Sequence, residues 1–514
     1  MKQLVLLLSL LLGADCYKIL GIFGHPGHSH YRIFEPILRG LSDKGHNLTV
    51  FAYFPSTSTK DGYRSITLKQ DGAAIRHFFE FNANMRHGYT EKYWQAAYII
   101  EYAKQTCDFA LSSKEYRDLL ESDESYDLII TELFNTNCVL LPIVERYKVP
   151  FVGLQSHAVM SWTNNWNGNP NNPSYIPNVY LGEASPMTFF QRVENLLMVI
   201  FDTCLFEYGE EYKKEMIKRM FGDKFSLPSD TMLSTSLILA NSHFTIHGAR
   251  PLVPNLVEIG GVHVGKAKPL PKHIDKWINE SKHGVIYFSL GSMIKGHTFP
   301  DDKKQMFINA FGRLPQRVLW KWENETMPGK TDNIMIEKWM PQFDILCHPN
   351  VKAFIAHGGM LGVTEAVHCG VPMIIMPQFG DQFTNAKAVE ASGGGTILDY
   401  RYLDEESIYN ALTTALDPKS NKKAKELSAR FKDRPLPPLE TSIYWIEYVA
   451  RHGGAPHLRT AAVGMPLYQY LLLDVIAFLV VILFSFLFVV YYISRAILRK
   501  LCRRKQSSQK KKKH

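Results

Sequence analysis

Two tandem α/β domains of the doubly wound kind, with a cleft between them, plus one C-terminal transmembrane helix, are the architecture this sequence predicts. Three observations carry that expectation. Strand, glycine-rich loop, helix and strand succeed one another between residues 17 and 54, which makes a βαβ unit and so a parallel sheet. The same alternation restarts near residue 285, after a stretch punctuated by prolines. Residues 471–493 form the one long apolar run, and about 20 such residues suffice to cross a hydrocarbon core.

In chain order, residues 17–23 read as a buried strand that runs into Gly24-His25-Pro26-Gly27-His28-Ser29-His30. Ile33, Ile37, Leu38 and Leu41 then recur at helical spacing, and Gly45 closes the helix. Strands are expected at 48–54, 126–131 and 149–154, a loop rich in Asn and Pro at 162–177, and a charged helix at 208–220. The second half is expected to hold strands at 285–290, 317–320, 334–337, 353–356 and 373–376, with helices at 301–312 and 382–391. The resulting division is a signal peptide (1–16), an N-terminal domain (17–250), a linker (251–275), a C-terminal domain (276–440), a returning helix and membrane-proximal segment (441–470), the span (471–493) and a basic tail (494–514). Ligands of such sheets sit beyond the carboxyl ends of the strands, which points to the cleft between the domains.

The ends set an expected compartment. Lys2, an apolar run at 4–12 and Gly13-Ala14-Asp15-Cys16 have the form of a secretory signal peptide cleaved before Tyr17. Ten Lys or Arg lie between residues 495 and 513, which by the positive-inside rule puts the tail in the cytosol and the body in the lumen, as a single-pass, type I membrane protein. The lysines at 511–513 resemble a dilysine retrieval signal of endoplasmic-reticulum membrane proteins. Removing those ten charges from the net +9 leaves −1, so the body carries no basic stripe and no nucleic-acid partner is expected. Asn47, Asn279 and Asn324 each open an Asn-x-Ser/Thr sequon; Asn47 precedes a strand pattern, and the other two sit in more polar surroundings. Of seven cysteines, Cys16 lies at the cleavage point and Cys502 in the tail. The remaining five, Cys107, Cys138, Cys204, Cys347 and Cys369, are odd in number and widely spaced without CxxC. Neither zinc nor a disulfide framework is expected from them, and buried free thiols are the simpler reading.

The chemistry concentrates between residues 354 and 382. Phe354-Ile355-Ala356 ends in His357-Gly358-Gly359 and feeds directly into a helix. A helix N-terminus offers free N–H groups and partial positive charge to a diphosphate, and glycines let the backbone come close. His357 adds a donor, and Glu365 offers paired acceptors for ribose hydroxyls. The next strand ends before Asp381-Gln382, a carboxylate and an amide suited to sugar hydroxyls.

This run, continued through Gly370-Val371-Pro372 and Pro377-Gln378-Phe379-Gly380, resembles the signature of the UDP-glycosyltransferase family, in its membrane-bound animal branch. Phe288-Ser289-Leu290-Gly291-Ser292, Trp339-Met340-Pro341-Gln342 with Asp344-Ile345-Leu346, the Ser29-His30 and Gly45-His46 pairs and residues 250–255 match as well. The resemblance spans nearly the whole chain. It implies a GT-B fold, two Rossmann-like domains, and inverting transfer of a sugar without metal or cofactor, the UDP-sugar being a co-substrate. It implies that His30 is the general base, and an imidazole with an ordinary pKa near 6.5 suits that task. Glu132 stands where the family has an Asp that orients the base; the alternative, Asp127, reads as a strand-start residue. The resemblance puts Ser292, His357, Gly358 and Gly359 at the phosphates, Trp339, Gln342 and Glu365 at the uridine, and Asp381 and Gln382 at the transferred sugar. Two departures stand out: Ala356 replaces Thr or Ser, and Leu361 replaces an Asn near the phosphates. The loop at 24–31 and residues 34–38 look more like insect members, which implies UDP-glucose rather than UDP-glucuronic acid.

The expected function is therefore conjugation of a small lipophilic acceptor, in detoxification or in hormone or pigment metabolism. The acceptor would be bound by loops near residues 73–98 and 156–186. Membrane-bound family members often associate, which implies a homo-oligomer. A non-catalytic UDP-sugar and lipophile carrier, or a transferase acting on proteins or lipid-linked glycans, would share the donor signature; His30, Glu132 and the Asp381-Gln382 pair speak against the carrier.

Overall fold

The computed structural model describes residues 16–56, 58, 60–68, 91–225, 231–292 and 294–511, with side chains as far as residue 503. Residues 1–15 of the expected signal peptide and the lysines at 512 and 513 lie outside them, as does most of the first expected acceptor loop.

Residues up to Thr460 form one compact unit with two parallel sheets. The first has seven strands in the order β3-β2-β1-β4-β5-β6-β7. They are β1 (Lys18–Phe23), β2 (Asn47–Ala52), β3 (Tyr63–Thr67), β4 (Leu128–Glu132), β5 (Phe151–Gln155), β6 (Leu237–Ala240) and β7 (Leu256–Glu258). The second has six, in the order β10-β9-β8-β11-β12-β13: β8 (Val285–Ser289), β9 (Arg317–Lys321), β10 (Ile334–Glu337), β11 (Val351–Ala356), β12 (Met373–Ile375) and β13 (Gly395–Ile397). Every pairing is parallel. The central strands are buried on both faces (β4, β5 and β8 at every residue), which is why they read as continuous apolar runs rather than alternating ones.

Each sheet has one point where the strand order turns: between β1 and β4 in the first, and between β8 and β11 in the second. The crevice beyond those strand ends is where doubly wound sheets bind ligands. The chain that leaves β1 carries His30 and β4 ends at Glu132; the chain that leaves β8 carries Ser292 and β11 ends just before His357.

The helices that position the site are α1 (His28–Asp43), α2 (Glu91–Ser112), α3 (Ser161–Asn167), α4 (Phe189–Phe221), α5 (Gln342–Leu346), α6 (Met360–Cys369), α7 (Gln382–Ser392) and α8 (Pro438–Arg451). Helix α8 follows the second sheet in sequence yet buries Ile443, Ile446 and Val449 in the core of the first. It meets α1 so closely that a Cβ on Gly40 would lie 2.6 Å from Ile443 Cδ1. This is the returning helix, and its apolar stripe at spacing three needs that partner.

Three expectations change. The stretch read as a linker contains β7, hydrogen-bonded beside β6; a three-residue strand between prolines has too short an apolar pattern to be seen. The Asn-rich stretch expected as a loop contains α3, whose Ser161, Trp162, Thr163, Asn164, Trp166 and Asn167 are buried. Four of the five cysteines read as free thiols are paired, Cys107 with Cys138 and Cys347 with Cys369. The odd count hid this, because Cys204 stays free and exposed, and wide sequence spacing says nothing once α2 packs against the turn at Asn137–Val139. All three sequon asparagines are exposed, Asn47 among them at the start of β2.

Residues from Ala461 form a second unit. Its main element is α9 (Leu473–Lys511), of which Leu473–Arg503 is long and apolar enough to cross a membrane. Phe478, Leu479, Phe484 and Phe488 on it are exposed.

Candidate active site

A cleft of about 1850 Å³ runs between the carboxyl ends of the two sheets. Every residue expected at the site for which the structure describes a side chain lines it except Glu132 and Gly358, which stand just behind.

On the first sheet, His30 Nδ1 lies 2.5 Å from Glu132 Oε1. The histidine side chain is 20% exposed and the carboxylate 2%. Ser156 Oγ is 2.8 Å from the same nitrogen. With Nδ1 turned toward Glu132 and Ser156, Nε2 is the nitrogen left for a substrate. Asp127, the alternative orienting acid, instead accepts the Lys18 N–H at 2.7 Å at the far end of the sheet. The rings of His25, Phe134 and His157 surround His30, with centroids 4.3, 5.2 and 6.2 Å away. Burial lowers the His157 imidazole to about 3, so it stays neutral.

On the second sheet, β11 delivers His357-Gly358-Gly359 to the start of α6, with Gly359 as N-cap. Gly358 has φ +91°, and a Cβ there would come 2.8 Å from Ile375 and 3.0 Å from the Gln382 carbonyl; only glycine fits. A Cβ on Gly359 would lie 2.4 Å from His357 Nε2. Burial, aided by Lys321, lowers His357 to about 4, so at neutral pH it is an uncharged hydrogen-bonding group. Glu365, one face further along α6, accepts a 2.6 Å hydrogen bond from Gln342 Nε2. Burial raises its carboxyl to about 7, with Gln342 and Arg32 opposing. Trp339 is 58% exposed in the cleft wall.

At the other end Asp381 is held by Asn385, whose Nδ2 donates to its Oδ2 at 2.9 Å and to the Gly358 carbonyl at 2.9 Å. Asp381 is the N-cap of α7 yet makes no side-chain capping bond there. Burial raises its carboxyl, and Asn385 and the charge of His30 oppose the rise. The charge of His30 on the first sheet thus reaches the Asp381 carboxylate on the second across the cleft. Gln382 Oε1 accepts the N–H groups of Gln378 and Phe379 at 2.9 and 3.3 Å, so that oxygen shapes the loop. The halves touch here: Gly380 N–H donates to Gln95 Oε1 at 2.7 Å, and Thr384 Oγ1 to the Val179 carbonyl at 2.7 Å. Leu361 packs as a half-buried hydrophobe against the first sheet's core.

Gln95, and Ser156, His157 and Tyr180, fall in the two segments expected to bind the acceptor but were not singled out; Asn385, one helical turn after Asp381, was not named at all. Among the described residues no group of three or more His, Cys, Asp or Glu is placed to hold a metal.

Two facing doubly wound sheets, one presenting an imidazole–carboxylate pair and the other a glycine-lined helix N-terminus, define a glycosyltransferase of the GT-B fold. A solved glycosyltransferase of kitacinnamycin superposes with TM-score 0.57 at 16% identity, over 86% of this chain and all of that one. The chain belongs to the UDP-glucuronosyl and UDP-glucosyl transferase family, whose model matches residues 23–511. UDP-glycosyltransferase UGT5 of Dactylopius coccus is 42% identical over 95% of this chain and 94% of its own length. UDP-glucosyltransferase 2 of the same organism is 37% identical over 94% and 93%. The chain is a UDP-glycosyltransferase.

Proposed function

We propose that the chain transfers glucose from UDP-glucose to a hydroxyl of a small lipophilic acceptor, with inversion and without a metal. His30 Nε2 takes the proton of the acceptor hydroxyl as that oxygen attacks the anomeric carbon. The bond from that carbon to the β-phosphate oxygen breaks on the opposite face, and UDP leaves with the electron pair. Glu132 holds the imidazole in the productive tautomer and stabilises the imidazolium that forms. Ser292, His357 and the N–H groups from Gly358 and Gly359 onward receive the charge that builds on the diphosphate. Trp339, Gln342 and Glu365 hold the uridine, and Asp381 with Gln382 the glucose hydroxyls. The observation that carries this reading is the His30–Glu132 pair at 2.5 Å, whose imidazole charge acts on the half-buried Asp381 of the other sheet.

Glucose rather than glucuronic acid is supported by the insect-type N-terminal loop, by the name of the 37% identical relative and by the carboxylate of Asp381, which would repel a second carboxylate on the sugar. The acceptor side is lined by Tyr53, Phe54, Trp94, Tyr98, Phe134 and Met160, which suits a lipophilic molecule. The signal-like start, the apolar helix and the basic tail support an endoplasmic-reticulum membrane location with the catalytic body in the lumen. The role would be conjugation for detoxification, or of hormones or pigments.

UDP release from microsomes carrying the chain, with UDP-glucose and UDP-glucuronic acid offered separately to a panel of phenols, flavonoids and steroids, tests the proposal. Release with UDP-glucose is expected. Release with UDP-glucuronic acid alone would reverse the sugar assignment, and NMR of the product shows whether the anomeric centre has inverted.

A further inference from the structure

Arg32 stands two residues beyond His30 on α1, exposed and lining the cleft. Among the described residues it enters no salt bridge and no hydrogen bond. Its Cζ lies 5.8 Å from the centroid of the Trp339 ring, which belongs to the other half of the molecule. Its charge also reaches Glu365 and His263. The first half therefore holds a permanently charged, planar group with five unspent N–H donors over the nucleoside end of the cleft.

A guanidinium is weakly hydrated and stacks on aromatic faces, and an exposed indole offers such a face. The indole is also a platform for a planar base. At 5.8 Å the guanidinium stands closer to the indole than two stacking distances, so it moves outward as a base enters between them.

We propose that Arg32 belongs to the donor site: the base of the nucleotide enters between the Trp339 indole and the Arg32 guanidinium. A residue of the acceptor half thereby binds the nucleotide that the other half holds. The inference rests on the reading of this cleft as the UDP-sugar site and adds a contact from the opposite wall. Because Arg32 and His30 share the first turns of α1, an occupied base site also fixes the helix that carries the base catalyst.

The test measures dissociation constants of UDP and of ribose 5-diphosphate, which lacks the base, for the full-length protein and its Arg32→Ala and Arg32→Lys variants. Stacking predicts that UDP binds about tenfold more weakly to both variants, while ribose 5-diphosphate changes less than twofold. UDP binding unchanged in Arg32→Ala overturns the proposal. So does an equal loss for both ligands that Arg32→Lys restores, because a point charge acting on the diphosphate would then be the whole effect. A wild-type chain that binds neither ligand would overturn the donor-site reading itself, a result distinct from both.

Discussion

The second sheet lines the cleft mostly from two stretches of one signature, residues 357–365 and 378–382, with 287–292, Lys321 and 339–344 beside them. The first sheet lines it with side chains drawn from α1, the end of β4, α2 and the segment after β5. Both are wound alike, and both open at the turn in strand order. On the proposed function the difference follows from what each half holds. A nucleotide diphosphate has fixed chemistry, and a helix N-terminus with its glycine approach answers it locally, from consecutive residues. An acceptor of variable shape is met by parts that come together only on folding.

That comparison can be broken by substitutions in either half. The largest effect among those below is expected at Glu132. Glu132→Ala lowers turnover about 100-fold or more, and Glu132→Asp recovers most of it, while UDP affinity stays within twofold in both. An equal fall in UDP affinity would mean that the two halves do not divide the work.

The disulfides come next, one in each half. Their loops close over 31 and 22 residues, and each is worth about 3 kcal/mol by loop entropy. Cys138→Ser and Cys369→Ser should lower thermal stability by similar amounts in non-reducing buffer, and a reductant should erase the difference from wild type. A variant as stable as wild type would show its bond to be absent.

Glu365 gives a pH-dependent contrast. Its carboxyl titrates near 7 in the fold against about 4.3 in an unfolded chain. The folded state holds its proton more tightly, so the burial of the carboxylate costs stability as pH rises from about 4.3 to 7 and costs nothing below that window. Glu365→Gln should melt higher than wild type at pH 8, by about 1–2 kcal/mol, with no gain at pH 4, and should bind UDP more weakly. A stability gain that is the same at both pH values would contradict the assigned titration.

Leu361→Asn should have the smallest effect. Removing a half-buried hydrophobe from the contact with the first core costs about 1 kcal/mol. One hydrogen bond to a phosphate returns up to about fivefold in UDP affinity. Tighter UDP binding in a less stable protein would show that Leu361 exchanges a donor contact for packing between the halves; unchanged melting would deny that packing.

The same contrast governs what the sequence made legible. Nine of the thirteen strands stood out, because buried parallel strands are apolar runs, as in residues 128–130 and 285–288; the short β3, β6 and β13 did not. The residues proposed for the donor stood out because most of them are close together in the chain. His30 and Glu132 were found through the family motif, since 102 residues separate them and nothing local announces the pair. Ser156, Gln95 and Arg32 were not found: one hydroxyl, one amide and one surface-pattern arginine carry no meaning until the fold sets them against His30, Gly380 and Trp339. β7 was lost among prolines, and the two disulfides behind an odd cysteine count.

The central claim is that proton transfer depends on the first sheet's His30, while the diphosphate is held by the second sheet. UDP release and UDP affinity measured side by side for wild type and His30→Ala test it most directly. The account predicts turnover reduced at least 100-fold with the UDP dissociation constant within twofold of wild type. Turnover retained without the imidazole, or UDP affinity lost along with it, would contradict the account.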